Sequence, residues 1–124
     1  MSDQPITPGK TTISIDVLLT IAKLTTLEVP GVSRMSRVPS RRFKTMLLHR
    51  QEQDGLHIEV VDDLVYTDLY VILNPDVNIR EVGRNIQIAV ARAITEMIGM
   101  QVGVVNVHVE DIDYPDLHED SENL

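Results

Sequence analysis

The chain has no cysteine, no tryptophan and a single phenylalanine, and aromatics make up only 3% of its residues. Without cysteine there is no disulfide, no thiolate metal site and no thiol nucleophile. Without large rings the core has to be built from Val, Ile, Leu and Met. No stretch approaches the roughly 18 apolar residues of a membrane span, and the opening MSDQPITPGK lacks the apolar core of a secretion signal. These absences lead us to expect a soluble cytoplasmic protein, with any membrane role peripheral. Acids outnumber bases to give a net charge of −8. DNA is therefore not an expected partner.

What is present is a globular composition, 43% hydrophobic over 124 residues. That length suits one domain burying about two thirds of its unfolded surface. The charge is segregated. Arg34, Arg37, Arg41, Arg42, Lys44 and Arg50 supply six of the eleven cations with no acid among them, whereas Glu110 to Glu122 holds seven acids and no Lys or Arg.

The stretch from Asn78 to Asp113 organises the rest. Asn78 followed by Glu81 is the pattern of a capping box. Ile79, Val82, Ile86, Ala89, Val90, Ala93 and Met97 recur at helical spacing and predict a rod of roughly 20 residues and about 30 Å, stopping at Gly99. Val105, Val107 and Val109 then alternate with Asn106, His108 and Glu110, the period of a strand with one buried face.

Upstream, Met1 to Lys10 reads as a loose tail, and Thr11 to Ile15 as a short strand. A helix follows to about Glu28, with Leu18, Ile21, Ala22 and Thr25 on one face, Val17 and Leu24 at its margin, and Ser14 or Asp16 as cap. Pro30-Gly31 ends it. Val32 starts either a short strand or the basic loop, and residues 33–54 read mostly as that loop, closed by Asp54-Gly55. Leu56 to Val61 and Leu64 to Leu73 form a hairpin bent at Asp62-Asp63, with Val65, Leu69, Val71 and Leu73 on one face and Tyr66, Asp68, Tyr70 and Ile72 on the other. The order predicts an α+β fold: a two-layer sandwich with a small mixed sheet of about four strands and two helices packed on one face. The domain spans 11–114, and 115–124 form an acidic tail expected to be disordered.

No constellation for catalysis emerges. His49, His57, His108 and His118 lack metal-ligand spacing, the serines lack a nucleophile-elbow context, and no Gly-rich loop opens a helix. Asp62, Asp63 and Asp68 read as a charged bend and a strand-surface carboxylate. We expect no cofactor and no metal. Two surface features remain. The basic segment (Arg34, Arg37, Arg41, Arg42, Lys44, Arg50) fits an anionic partner. Ile88 and Ala91, turned away from the apolar stripe, fit a helix seam with another copy or a partner. The strand Val102 to Ile112 or the first strand offers an edge for pairing.

Four segments together resemble the alkaline shock protein 23 and general stress protein Gls24 family: GKTTISIDV, EVPGV at Glu28 to Val32, DLYV at Asp68 to Val71, and IQIAVARAITEMIGMQVGVVNVHVEDI. The resemblance covers Gly9 to Asp113. It implies a small bacterial cytoplasmic α+β protein without catalytic activity, linked to envelope stress or to regulation of fatty-acid synthesis, oligomerising, and held near the membrane by an anchored partner. Thr67 stands where the family pattern has valine. The expected function is thus a non-enzymatic protein-interaction or scaffold protein, self-associating. The alternative is a small RNA-binding module using the basic loop 34–50, disfavoured by the missing GXXG loop and the scarce aromatics.

Overall fold

The computed structural model describes residues 7–37, 51–53 and 55–115. The expected tails beyond those limits, and the basic segment from 38 to 50, lie outside the described residues. The elements are α1 (Ile15–Glu28), β1 (Val32–Met35), β2 (Gln51–Gln53), β3 (Leu56–Val61), β4 (Leu64–Leu73), α2 (Ile79–Ala93) and β5 (Gln101–Ile112).

The sheet is assembled around β4, the longest apolar strand of the interior. On one edge β4 pairs antiparallel with β3 from Leu64 to Leu69 and with β1 from Val71 to Leu73. Tyr70 makes the hand-over: its N–H donates to the Gly55 carbonyl, and its own carbonyl accepts from Ser36 N–H, both at 2.8 Å. Gly55 has φ +70°, and a Cβ there would stand 2.4 Å from the Ser36 carbonyl oxygen, so this three-strand junction admits glycine alone. On the other edge β4 pairs in parallel with β5 over its whole length, and β2 extends the sheet beyond β3. The sheet is therefore mixed and five-stranded, and both helices pack on one face, as the α+β two-layer reading expects.

The hairpin bend lies where the sequence puts it. Val61 pairs with Leu64, leaving Asp62 and Asp63 as a two-residue loop with φ of 52° and 68°. Two positive φ values are what a type I′ turn requires to match strand twist.

α2 begins as expected, with Asn78 Oδ1 accepting from Glu81 N–H at 3.0 Å. Its buried stripe is Val82, Ile86, Val90 and then Ile94. The last turn, Ile94–Ile98, widens into a π turn, closed by Gly99 N–H on the Ile94 carbonyl at 3.2 Å. That wider turn puts Ile94 and Ile98 against the core and leaves Met97 70% exposed, so Met97 is not the stripe residue its spacing predicts. Ile79, in the first turn, is exposed as well.

The first expected strand does not form. Residues 7–14 have no regular element, and Ile15 opens α1 and packs against the core as a helical side chain. A five-residue alternation is a weak signal, and tertiary packing overrides it. Of the two alternatives at Val32 the short strand forms: β1 runs from Val32 to Met35, into the segment expected to be mostly loop. Ser14 occupies the N-cap position, but its side chain makes no cap bond. The buried face of α1 is Leu18, Leu19, Ala22 and Thr26, rotated from the expected face, and Thr26 Oγ1 donates to the Ala22 carbonyl at 2.7 Å. The aliphatic core between the layers joins these residues to Val65, Leu69, Val71 and Leu73. Thr67 is fully buried among them, and its hydroxyl has no hydrogen-bond partner.

Candidate interaction surfaces

Four surfaces present chemistry. The first belongs to the basic segment. Arg34 projects from β1 with Nε 3.4 Å from Asp113 Oδ2, and the same oxygen accepts from Ser33 Oγ at 2.7 Å. Asp113 in turn is fixed by its N–H to the Leu73 carbonyl. The basic and acidic runs therefore meet within one chain. At this length and exposure the ion pair contributes below about 1 kcal/mol. Arg37 and Lys23 join Arg34 around Leu27 and Met35 in a shallow hollow of about 270 Å3. Arg41, Arg42, Lys44 and Arg50 lie outside the described residues.

The second surface is the outside of the helical layer. Gly31, just past α1, lies against Val82 of α2, so the two helices run antiparallel. Leu24 is 56% and Ile88 51% exposed, Val17 and Leu27 add further exposed apolar area along α1, and Ile13 is exposed just before it. Ala91, paired with Ile88 in sequence, is half-buried.

The third is the sheet face turned away from the helices. Asp68 Oδ1 is the focus: Asn106 Nδ2 donates to it at 3.1 Å and His108 Nε2 lies 3.1 Å away. The His108 ring stacks on Tyr70 at 4.4 Å between centroids. Tyr66 covers Gly103 so closely that a Cβ there would be 2.7 Å from its ring. Asp68 is thus a structural clamp between β4 and β5 rather than an isolated surface carboxylate. His57, paired across the sheet with Asp68, shares this face but is buried.

The fourth surface lies along β5, one of the two strands whose edge the sequence offers for pairing, but its arginine roof is not expected from the sequence. Between α2 and the outer edge of β5 runs a groove of about 620 Å3 lined by Ile79, Arg80, Gly83, Arg84, Gln87, Val107 and Val109. Two arginines one turn apart around a glycine are a legible hint. Which strand they overhang depends on β5 lying at the sheet edge, and that the pattern does not tell.

Among the described residues no three His, Asp or Glu side chains converge as metal ligands would, and no helix is long and apolar enough to cross a membrane.

Comparison with known proteins agrees with this architecture. The profile of the alkaline shock protein 23 family, described as having a "cell envelope-related function", matches residues 3–114. The uncharacterized protein Spy1614 of Streptococcus pyogenes is 27% identical over 84% of this chain and 88% of its own length. Spy1535 of the same organism is 31% identical over 84% of this chain and 79% of its own. Among solved structures, the copper form of the MamM CTD superposes with a TM-score of 0.57 at 15% identity, covering 82% of this chain and 90% of that one. That likeness is one of fold. With the profile spanning nearly the whole domain, the chain belongs to the alkaline shock protein 23 family, whose function is related to the cell envelope.

Proposed function

We propose that this protein is a non-catalytic interaction module of the cell envelope, which assembles with copies of itself through the outside of its helical layer. The observation that carries the reading is the outer face of α1. Val17, Leu24 and Leu27 stand exposed there at helical spacing, Ile13 is exposed just before the helix, and Ile88 is exposed on the neighbouring α2. Several exposed apolar side chains gathered on one helix face mark an association surface. The basic hollow at Arg34, Arg37 and Lys23 borders the same face through Leu27, and supplies a polar, cationic rim of the kind that surrounds such interfaces. A membrane-anchored partner with acidic segments fits that rim. The envelope-related role of the family supports this placement.

The test is solution size. The wild-type chain and the Leu24→Glu/Ile88→Glu variant are compared by light scattering, with thermal unfolding as control. Both side chains are exposed, so the fold is retained and the expected outcome is a fall to monomer mass. An unchanged mass in the folded variant overturns the reading. Charge reversal of Arg34, Arg37 and Lys23 is expected to weaken capture of an acidic partner without changing self-association.

A further inference from the structure

The edge of β5 is not an ordinary end to a sheet. Among the described residues no strand pairs with its outer side. Exposed edges are usually blunted by bulges or charges, and β5 has both, arranged so that one window stays open. Its pairing with β4 skips a residue at Gly103 and another at Glu110, so the regular stretch lies between them. Gln87 Nε2 donates to the Val105 carbonyl at 3.1 Å and closes one end. What remains, from Val105 to Val109, is the floor of the groove beneath Arg80 and Arg84.

The roof of that groove is cationic. Among the described residues neither Arg80 nor Arg84 has an ion-pair partner and no acid lines the groove, and both arginines are exposed. Gly83 between them leaves open space where a side chain would stand. Arg80 and Arg84 are four residues apart on a helix, a rise of about 6 Å. Side chains two apart on a strand repeat at about 7 Å. The two spacings are commensurate: a strand laid against β5 brings its i and i+2 side chains under the two guanidinium groups.

We propose that the α2–β5 groove receives an extended acidic segment of another protein, which adds to the sheet as a further strand and places carboxylates at i and i+2 against Arg80 and Arg84. Main-chain hydrogen bonds to the β5 edge hold the segment, and the arginine pair selects its sequence. A second copy of β5 is a poor occupant. β4 and β5 are parallel, so α2 runs back against β5; Gln87 sits at Val105, and Arg84 therefore lies near the level of Val107, the centre of the window. A two-fold pairing of β5 with itself would bring the two Arg84 side chains together. The groove is separate from the outer face of α1 and does not depend on self-association.

The test uses the full chain and two blocked, labelled peptides of one composition, Thr-Val-Glu-Val-Glu-Val-Thr and Thr-Val-Glu-Glu-Val-Val-Thr. The first carries its glutamates at i and i+2, the second side by side. By fluorescence anisotropy the first is expected to bind about 10-fold tighter or better, and to increase protection of the Val107 and Val109 amides in hydrogen exchange. The Arg80→Glu/Arg84→Glu variant is expected to lose this binding and to accept a peptide with lysines at i and i+2. Equal affinity for the two glutamate peptides overturns the proposal, as does binding that survives the double reversal or protection that maps elsewhere. So does a chain ending at Pro115 that binds when the full chain does not, since the groove would then hold the chain's own acidic end.

Discussion

The two helices cover the same sheet side by side, yet they are built to different specifications. α2 sorts its residues: Val82, Ile86 and Val90 point inward, and Arg80, Arg84, Asn85, Gln87 and Arg92 point to solvent. α1 has three charges in fourteen residues, Asp16, Lys23 and Glu28, and apolar side chains on nearly every side. It buries Leu18, Leu19 and Ala22 and still exposes Val17, Leu24 and Leu27. A helix that is covered once separates its faces; a helix that is apolar all round is covered more than once. The difference is the basis for proposing an association surface on α1 and a peptide groove on α2.

The largest effect that can test this contrast is in the core. Ile86 of α2 is fully buried, and Ile86→Ala should cost about 3–4 kcal/mol in urea denaturation. Leu24→Ala, on the outer face of α1, should cost under about 0.5 kcal/mol at protein concentrations low enough to dissociate any oligomer, and more as concentration rises. Equal, concentration-independent losses at both positions would mean that the two helices are covered alike, and the contrast would be broken.

Next in size is the point where the two helices touch at their ends. Gly31 has φ +102°, and a Cβ there would lie 2.8 Å from Val82 Cγ2. Gly31→Ala combines a left-handed backbone with displacement of a buried valine and should cost about 2–3 kcal/mol. A near-neutral result would show that α1 can slide on α2, and that their junction does not fix how the two helices sit against each other.

How much of this is legible in the sequence follows from the same contrast. The α2 stripe and the β4 faces are readable because each has a single period: Val82, Ile86 and Val90 on the helix, Val65, Leu69, Val71 and Leu73 on the strand. The buried face of α1 is not, because Ile21 and Leu24 satisfy helical spacing as well as Leu19 and Thr26 do. β1 is four residues with no period, and it becomes a strand only because β4 has a free stretch of edge beside Val71 to Leu73. The interaction surfaces are partly legible. Ile88 stands out by its lone position, and Arg34 by an acid-free run. The contact of Arg34 with Asp113 joins residues 79 apart, and the Arg80–Arg84 groove depends on a parallel pairing that local pattern does not encode.

The helix starts separate the two designs on a smaller scale. Asn78 accepts a hydrogen bond from Glu81 N–H, whereas Ser14, in the equivalent place, makes no side-chain bond. Asn78→Ala should therefore cost about 1 kcal/mol and Ser14→Ala only a few tenths. Equal losses would indicate that Ser14 caps α1 in solution, and that α1 is held by its own end rather than by its covering.

The smallest expected effect is also the sharpest test of the end of α2. Spacing alone puts Met97 on the buried stripe, where an ionised glutamate would cost several kcal/mol through desolvation and lost packing. The π turn instead leaves it 70% exposed while Ile94 is fully buried. Met97→Glu should then change stability by no more than about 0.5 kcal/mol, read as an unchanged urea midpoint. A loss of several kcal/mol would mean that the last turn is a regular α-helical one with Met97 facing the core. α2 would then present a continuous sorted stripe up to Gly99, and its contrast with α1 would be larger still.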